Sequence, residues 1–164
     1  MRKPPVHKFI LSSLLLLALA SQSCQYRIAV ASPFRKTADA EHRNVNFAAT
    51  DFSNHLNQAK QAGRPVFIDF YTDWCGPCRV MDRDVFTDSK LAAHLNGHFN
   101  NLKINAEKGE GVALAKQFGV GAYPTLVFLD ATGVERERVI GFTTSRRLLK
   151  MAEQVKKAST LGQR

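Results

Sequence analysis

The stretch Phe67–Arg79, FIDFYTDWCGPCR, constrains this chain more than any other. An apolar run, Val66–Tyr71, leads into Trp74-Cys75-Gly76-Pro77-Cys78 and then into a segment of helical character. Two cysteines three residues apart at the start of a helix can face each other and close a small disulfide ring. The first thiol then sits where the positive end of the helix favours a thiolate. A redox dithiol competes with half of a zinc site and with a purely structural bridge. Zinc takes about four ligands, and the chain has no second C-x-x-C pair. A bridge closing so short a loop would stabilise little, because the entropic effect of a cross-link grows with loop length. The redox reading therefore carries a mechanism that the other two lack.

The residues around the motif extend that reading. Val45-Asn46-Phe47 reads as a short edge strand, and Thr50 or Asp51 as the cap of a helix with Phe52, Leu56 and Ala59 on one face. Gly63 ends that helix and Pro65 precedes the strand Val66–Tyr71. The dithiol helix follows, with Val80, Met81 and Val85 as packing residues, and Asp88 caps a further helix with Leu91 and Leu95 inward. Leu102–Asn105 reads as a strand and Gly111–Phe118 as a helix closed by Gly119. Thr125–Leu129 and Glu137–Ile140 form a hairpin, and Thr144 or Ser145 starts a last helix burying Leu148, Ala152 and Val155. This order is that of an α/β domain with a mixed sheet flanked by helices.

WCGPC after an apolar strand containing Asp69, followed by Lys103-Ile104-Asn105 and Tyr123-Pro124-Thr125 in that order, resembles the thioredoxin family. The resemblance runs from about Val45 to Ala158 and implies a thioredoxin fold over residues 45–158, with 159–164 as a tail. It is closer to exported thioredoxin-like domains, such as those joined to transmembrane Dsb disulfide reductases, which carry an extra segment like Val85-Phe86-Thr87-Asp88 after the dithiol helix. It implies Cys75 as nucleophile and Cys78 as the more buried, resolving thiol. Pro77 suits the first helical turn on its own account, since its missing N–H would be unpaired there anyway. The Gly76-Pro77 pair leans toward a reductant by the same likeness.

Asp69 interrupts an apolar strand, where a buried carboxylate is costly. Alternation could place it on a solvated face; the resemblance makes it the buried acid that accepts the Cys78 proton. Lys103 is then the basic residue beside it, or else a surface lysine at a strand end. X-Pro bonds are cis in only about 5–6% of folded cases, so spacing does not make Pro124 cis. The resemblance does, with the backbone of Tyr123 pairing with an extended substrate. Tyr123 departs from the aliphatic residue common there, which bears on substrate preference. Trp74 reads as a partly exposed platform beside Cys75, with core packing as the alternative.

Residues 1–24 read as an export signal: Arg2, Lys3 and Lys8, then the apolar Ile10–Ala20, too short for the roughly 20 residues that span a bilayer. Cleavage after Ala18-Leu19-Ala20, lipidation of Cys24 after Ser21-Gln22-Ser23, and cleavage after Ala29-Val30-Ala31 compete. Ser21 stands where lipoprotein signals usually have leucine. Residues 25–44 lack any apolar period and read as a linker. The expected setting is therefore exported and periplasmic, with a lipid anchor if Cys24 is retained. The partners implied are exported proteins bearing disulfides and a membrane protein that supplies electrons; the chain is expected to act as a monomer.

The net charge of +9 does not indicate nucleic acid. Arg2, Lys3 and Lys8 supply three of the nine, and the rest are dispersed, with small clusters at Arg146-Arg147 and Lys156-Lys157. Gly109-Glu110-Gly111 and Gly119-Val120-Gly121 lack the remaining features of nucleotide loops. His94 and His98, four apart, read as helix-surface histidines without metal partners. No cofactor or metal is implied beyond the cysteine pair.

Overall fold

In the computed structural model, residues 44–48 and 51–161 are described. The expected export signal, Cys24, the linker up to residue 43, the Thr50 cap and residues 162–164 lie outside them. The described elements are α1 (Phe52–Ala62), β1 (Val66–Tyr71), α2 (Gly76–Val80), α3 (Ser89–His98), β2 (Asn100–Asn105), α4 (Gly111–Gln117), β3 (Thr125–Leu129), β4 (Glu135–Ile140) and α5 (Ser145–Leu161). The strands form one sheet in the order β2-β1-β3-β4, with β1 parallel to β2 and the other pairings antiparallel. The fold is the α/β thioredoxin fold, a mixed sheet flanked by helices.

The central position of β1 explains its composition. It is paired on both edges and covered on both faces, so apart from Asp69 its residues are apolar on both faces rather than alternating with polar ones. Val66, Ile68 and Phe70 face a core with Phe52, Ala59, Leu102, Ile104 and Leu114. Phe67 faces the other, with Met81, Val85, Phe86, Leu91, Leu95 and Leu148. Asp69 follows Phe67 by two residues and so shares its face with the dithiol helix.

Local capping chemistry sets several helix ends. Asp51 accepts from Asn54 N at 3.1 Å, and Asp88 accepts from Lys90 N and Leu91 N at 3.0 Å each. Gly63 ends α1 in the left-handed conformation, φ 61°, which a side chain would resist. The last helix buries Leu148, Ala152 and Val155 as its periodicity predicts, and it runs on through Leu161, past Ala158.

Two local expectations are corrected. Val45–Phe47 is not a strand: only Ala48 makes a bridge, to Leu102, because side chains of Asn96 and Asn101 take up the polar groups of Asn44 and Asn46. The dithiol helix also does not continue as plain α-helix. Met81–Val85 form one turn of π-helix, with Phe86 N donating to Met81 O at 2.9 Å. That wider turn carries Asp82 and Phe86 to the neighbourhood of β2.

Candidate active site at the dithiol helix

Cys75 caps α2 and is joined to Cys78 by a disulfide of 2.05 Å, with the Cα atoms 5.3 Å apart. Cys78 N donates to Cys75 Sγ at 3.1 Å, so the first sulfur occupies the cap position that an oxygen usually fills. Pro77 lies within the first turn of α2, where no donor is lost. The expectation that Cys78 would be the more buried thiol is not met, since both residues are 2% exposed. In this oxidised state neither cysteine stands out into solvent.

The backbone brings the other predicted residues to the same region. The Tyr123–Pro124 bond is cis. Pro124 O accepts from Gly141 N at 2.7 Å, and Thr125 Oγ1 donates to Ala122 O at 2.7 Å, fixing the turn at the start of β3. Trp74 is 65% exposed, the platform arrangement rather than core packing, and its ring meets Tyr123 edge to face at 5.8 Å.

Asp69 is buried, not on a solvated face, and the sheet register supplies its partner. It lies opposite Lys103 in the parallel β1–β2 pair, and Lys103 Nζ donates to Asp69 Oδ2 at 3.0 Å. Lys103 is therefore no free surface lysine at a strand end. Burial pushes the Asp69 carboxyl up to about 6, against the pull of the lysine. Its Oδ1 is buried and accepts no hydrogen bond among the described residues. Burial works against the Lys103 ammonium as well, but Asp69 and Asp82 together outweigh it and hold its pKa above the ordinary lysine range.

Three contributors carried no signal in the sequence. Asp82, four residues beyond Cys78, also accepts from Lys103 Nζ. Glu107, in the loop after β2, accepts from the Trp74 indole N–H at 3.0 and 3.1 Å. Asp73 accepts from Asn105 Nδ2 at 2.9 Å and pairs with Lys108, tying the loop before the dithiol to the loop after β2. Each looks like an ordinary surface acid when only its neighbours in sequence are considered.

Elsewhere, His94 is half-buried, with its ring 4.8 Å from that of His98, and burial and then the His98 charge press its pKa down. Among the described residues no three His, Cys, Asp or Glu side chains cluster as metal ligands, and no helix is long and apolar enough to cross a membrane.

A strand–dithiol–helix with a buried acid beneath and a cis-proline beside it defines a thiol–disulfide oxidoreductase of thioredoxin type. The chain belongs to the thioredoxin-like domain family, whose profile matches residues 52–156. It is 36% identical over 104 residues to the thiol:disulfide interchange protein DsbD of Salmonella paratyphi A, covering 60% of this chain, and 33% identical over 104 residues to that of Escherichia coli K12. The chain spans 18% of the length of these relatives. Its structure is similar to the solution structure of a proposed disulphide-isomerase from Bacteroides thetaiotaomicron, at TM-score 0.61 and 40% identity over 69% of this chain and 93% of that one. It is also similar to a thioredoxin from Thermus thermophilus, at TM-score 0.60 and 27% identity over 66% and 86% of the two chains.

Proposed function

We propose that this protein is an exported thiol–disulfide reductase, acting on disulfides of other exported proteins. The observation that carries the reading is the buried Asp69, held by Lys103 on the face of β1 that meets the dithiol helix, with one carboxylate oxygen left without a partner among the described residues. In the reduced enzyme the Cys75 thiolate attacks one sulfur of the substrate disulfide, forming a mixed disulfide and expelling the other sulfur as a thiolate. Cys78 then loses its proton to the Asp69 carboxylate and attacks Cys75 Sγ. The Cys75–Cys78 disulfide forms, the second substrate sulfur leaves, and two electrons have passed to the substrate. The backbone at Tyr123 and cis-Pro124 holds the substrate segment extended, against the Trp74–Tyr123 edge. A dithiol donor reverses the sequence to recharge the pair.

Export rests on the basic, apolar and small-residue order of residues 1–24, with Cys24 as a candidate lipid anchor. The reductive direction rests on the Gly76-Pro77 dipeptide and on the motif resemblance to transmembrane Dsb disulfide reductases; the DsbD relatives are named for thiol:disulfide interchange, which has no direction of its own. In an oxidising compartment such a reductant must draw electrons through a membrane partner. A second reading, disulfide isomerase or oxidant, is favoured by the 40% identity to the Bacteroides protein.

The equilibrium reduction potential of Cys75–Cys78 separates the two. The chain is equilibrated in defined thiol buffers, acid-quenched and alkylated to count free thiols. A value near the thioredoxin end, about −270 mV, supports the reductase, and one between about −180 and −120 mV supports the isomerase or oxidant. A Cys75→Ser variant that kept full activity in cells would point instead to a client-binding module in which the dithiol is incidental.

A further inference from the structure

The ammonium of Lys103 lies within 6 Å of three aromatic ring centres: Tyr71 at 4.9 Å, Phe86 at 5.3 Å and Phe47 at 5.4 Å. Ring faces at such distances attract a cation. The three rings come from separate places, since Tyr71 ends β1, Phe86 follows the π-turn and Phe47 belongs to the segment preceding α1. Phe47 is set there by its own contacts. Its ring meets Phe86 edge to face at 5.1 Å and Phe67 at 6.2 Å, while Val45 N donates to Phe86 O and Ala48 N to Asn101 O, both at 2.9 Å. Two open cavities, of about 300 and 480 Å³, share Phe47 and Lys103 as lining residues. Removing that ring would widen both cavities beside the lysine and give its ammonium room to move away from Asp69.

We infer that Phe47 is a positioning residue for the proton-transfer step, holding the Lys103 ammonium between Asp69 and Asp82 in a cage completed by Tyr71 and Phe86. This rests on the reading of Asp69 as proton acceptor for Cys78, and it adds that the segment ahead of the domain's first helix tunes the acid. The groups that face the lysine are Asp69 and Tyr71 from β1 and Asp82 from the π-turn; Asn105, Lys108 and Glu110 line the larger cavity with it. A lysine kept beside Asp69 favours the carboxylate. A lysine free to leave favours the protonated acid, so loss of the cage must move proton acceptance to higher pH.

The test uses the full chain with Cys24→Ser, so that only the pair reacts, and bis(nitrobenzoate) disulfide as substrate. The reduced protein releases one coloured thiolate on attack by Cys75 and a second when Cys78 resolves the mixed disulfide. The pH midpoint of the second phase is expected to rise by roughly half a unit or more in Phe47→Leu and to stay near wild type in Phe47→Tyr. In a Lys103→Met background Phe47→Leu is expected to add nothing. An equal shift in that background, or no shift while Asp69→Asn abolishes the profile, overturns the inference. If Asp69→Asn leaves the profile untouched, the proton-acceptor reading fails, and the cage is judged by NMR of the same proteins. Ring currents then place the Lys103 ε-methylene protons upfield of those of exposed Lys90 and Lys150, and Phe47→Leu reduces the displacement. A Lys103 signal coincident with the exposed lysines in the unsubstituted protein overturns the inference without any appeal to folding of the variant.

Discussion

Asp69 is pulled two ways. Burial favours its neutral form and Lys103 its charged form, and burial wins by enough to put the carboxyl at about 6. Its folded-state pKa therefore lies above the unfolded value of 3.8. The stabilisation this brings is complete below pH 3.8 and is lost as pH rises through 6, because the unfolded chain gives up the proton first. Asp69→Asn has no such proton to lose. Between about pH 3.5 and 7.5 the stability of the oxidised wild type should fall relative to Asp69→Asn by on the order of 3 kcal/mol. Urea denaturation at a series of pH values measures the difference, and parallel curves would show that the carboxyl is not displaced. Glu107 acts at the same scale but in the open. Glu107→Ala removes the acceptor of the Trp74 indole N–H, and an exposed contact of this kind is worth about 1 kcal/mol or less. The expected result is readier iodide quenching of Trp74, the only tryptophan in the chain, and a higher KM for a protein disulfide, with the Cys75–Cys78 potential unchanged.

At the scale of elements, the loop between β2 and α4 is held tighter than its glycines suggest. A Cβ on Gly111 would lie 1.9 Å from Asn105 O and 3.0 Å from Ile104 Cγ2, both on β2, so α4 can start there only on a residue without a side chain. The obstacle is backbone and cannot turn aside. Gly111→Ala should therefore cost at least about 2–3 kcal/mol, as overpacking does, even though alanine is the better helix former. Thermal or urea unfolding measures that cost. Because the same loop carries Glu107, the variant should also disturb the Trp74 fluorescence, which a purely local helix effect would leave alone. The π-turn is the other element that decides the site. Its wider spacing delivers Asp82 and Phe86 to Lys103 from a stretch whose apolar pattern reads as plain helix.

Over the described residues, the sheet separates two cores, and the π-turn that continues the dithiol helix packs into only one of them, through Met81 and Val85. Leu148 of α5 is fully buried in that core, alongside Met81 and Val85. Leu148→Ala should cost about 3 kcal/mol while leaving the potential of the pair unchanged, since no group near the sulfurs alters its charge. A domain of this size should also unfold as one unit, with Trp74 fluorescence and far-UV circular dichroism sharing a midpoint; separated midpoints would mean that the two cores melt independently. Much of this was legible beforehand. The dithiol, the Asp88 cap, the choice of Thr50 or Asp51 as the earlier cap, the strands Val66–Tyr71 and Thr125–Leu129 and the inward stripe of α5 all follow from spacing, capping chemistry and apolar period, which act over a few residues. Other features depend on contacts between distant segments. The Asp69–Lys103 register, the lysine's aromatic cage and the Glu107 bond to Trp74 join residues up to 56 apart, as Phe47 and Lys103 are. A charged residue bound for a buried pair carries the same local signature as one bound for water, and only the packing of strand on strand and helix on sheet decides which it becomes.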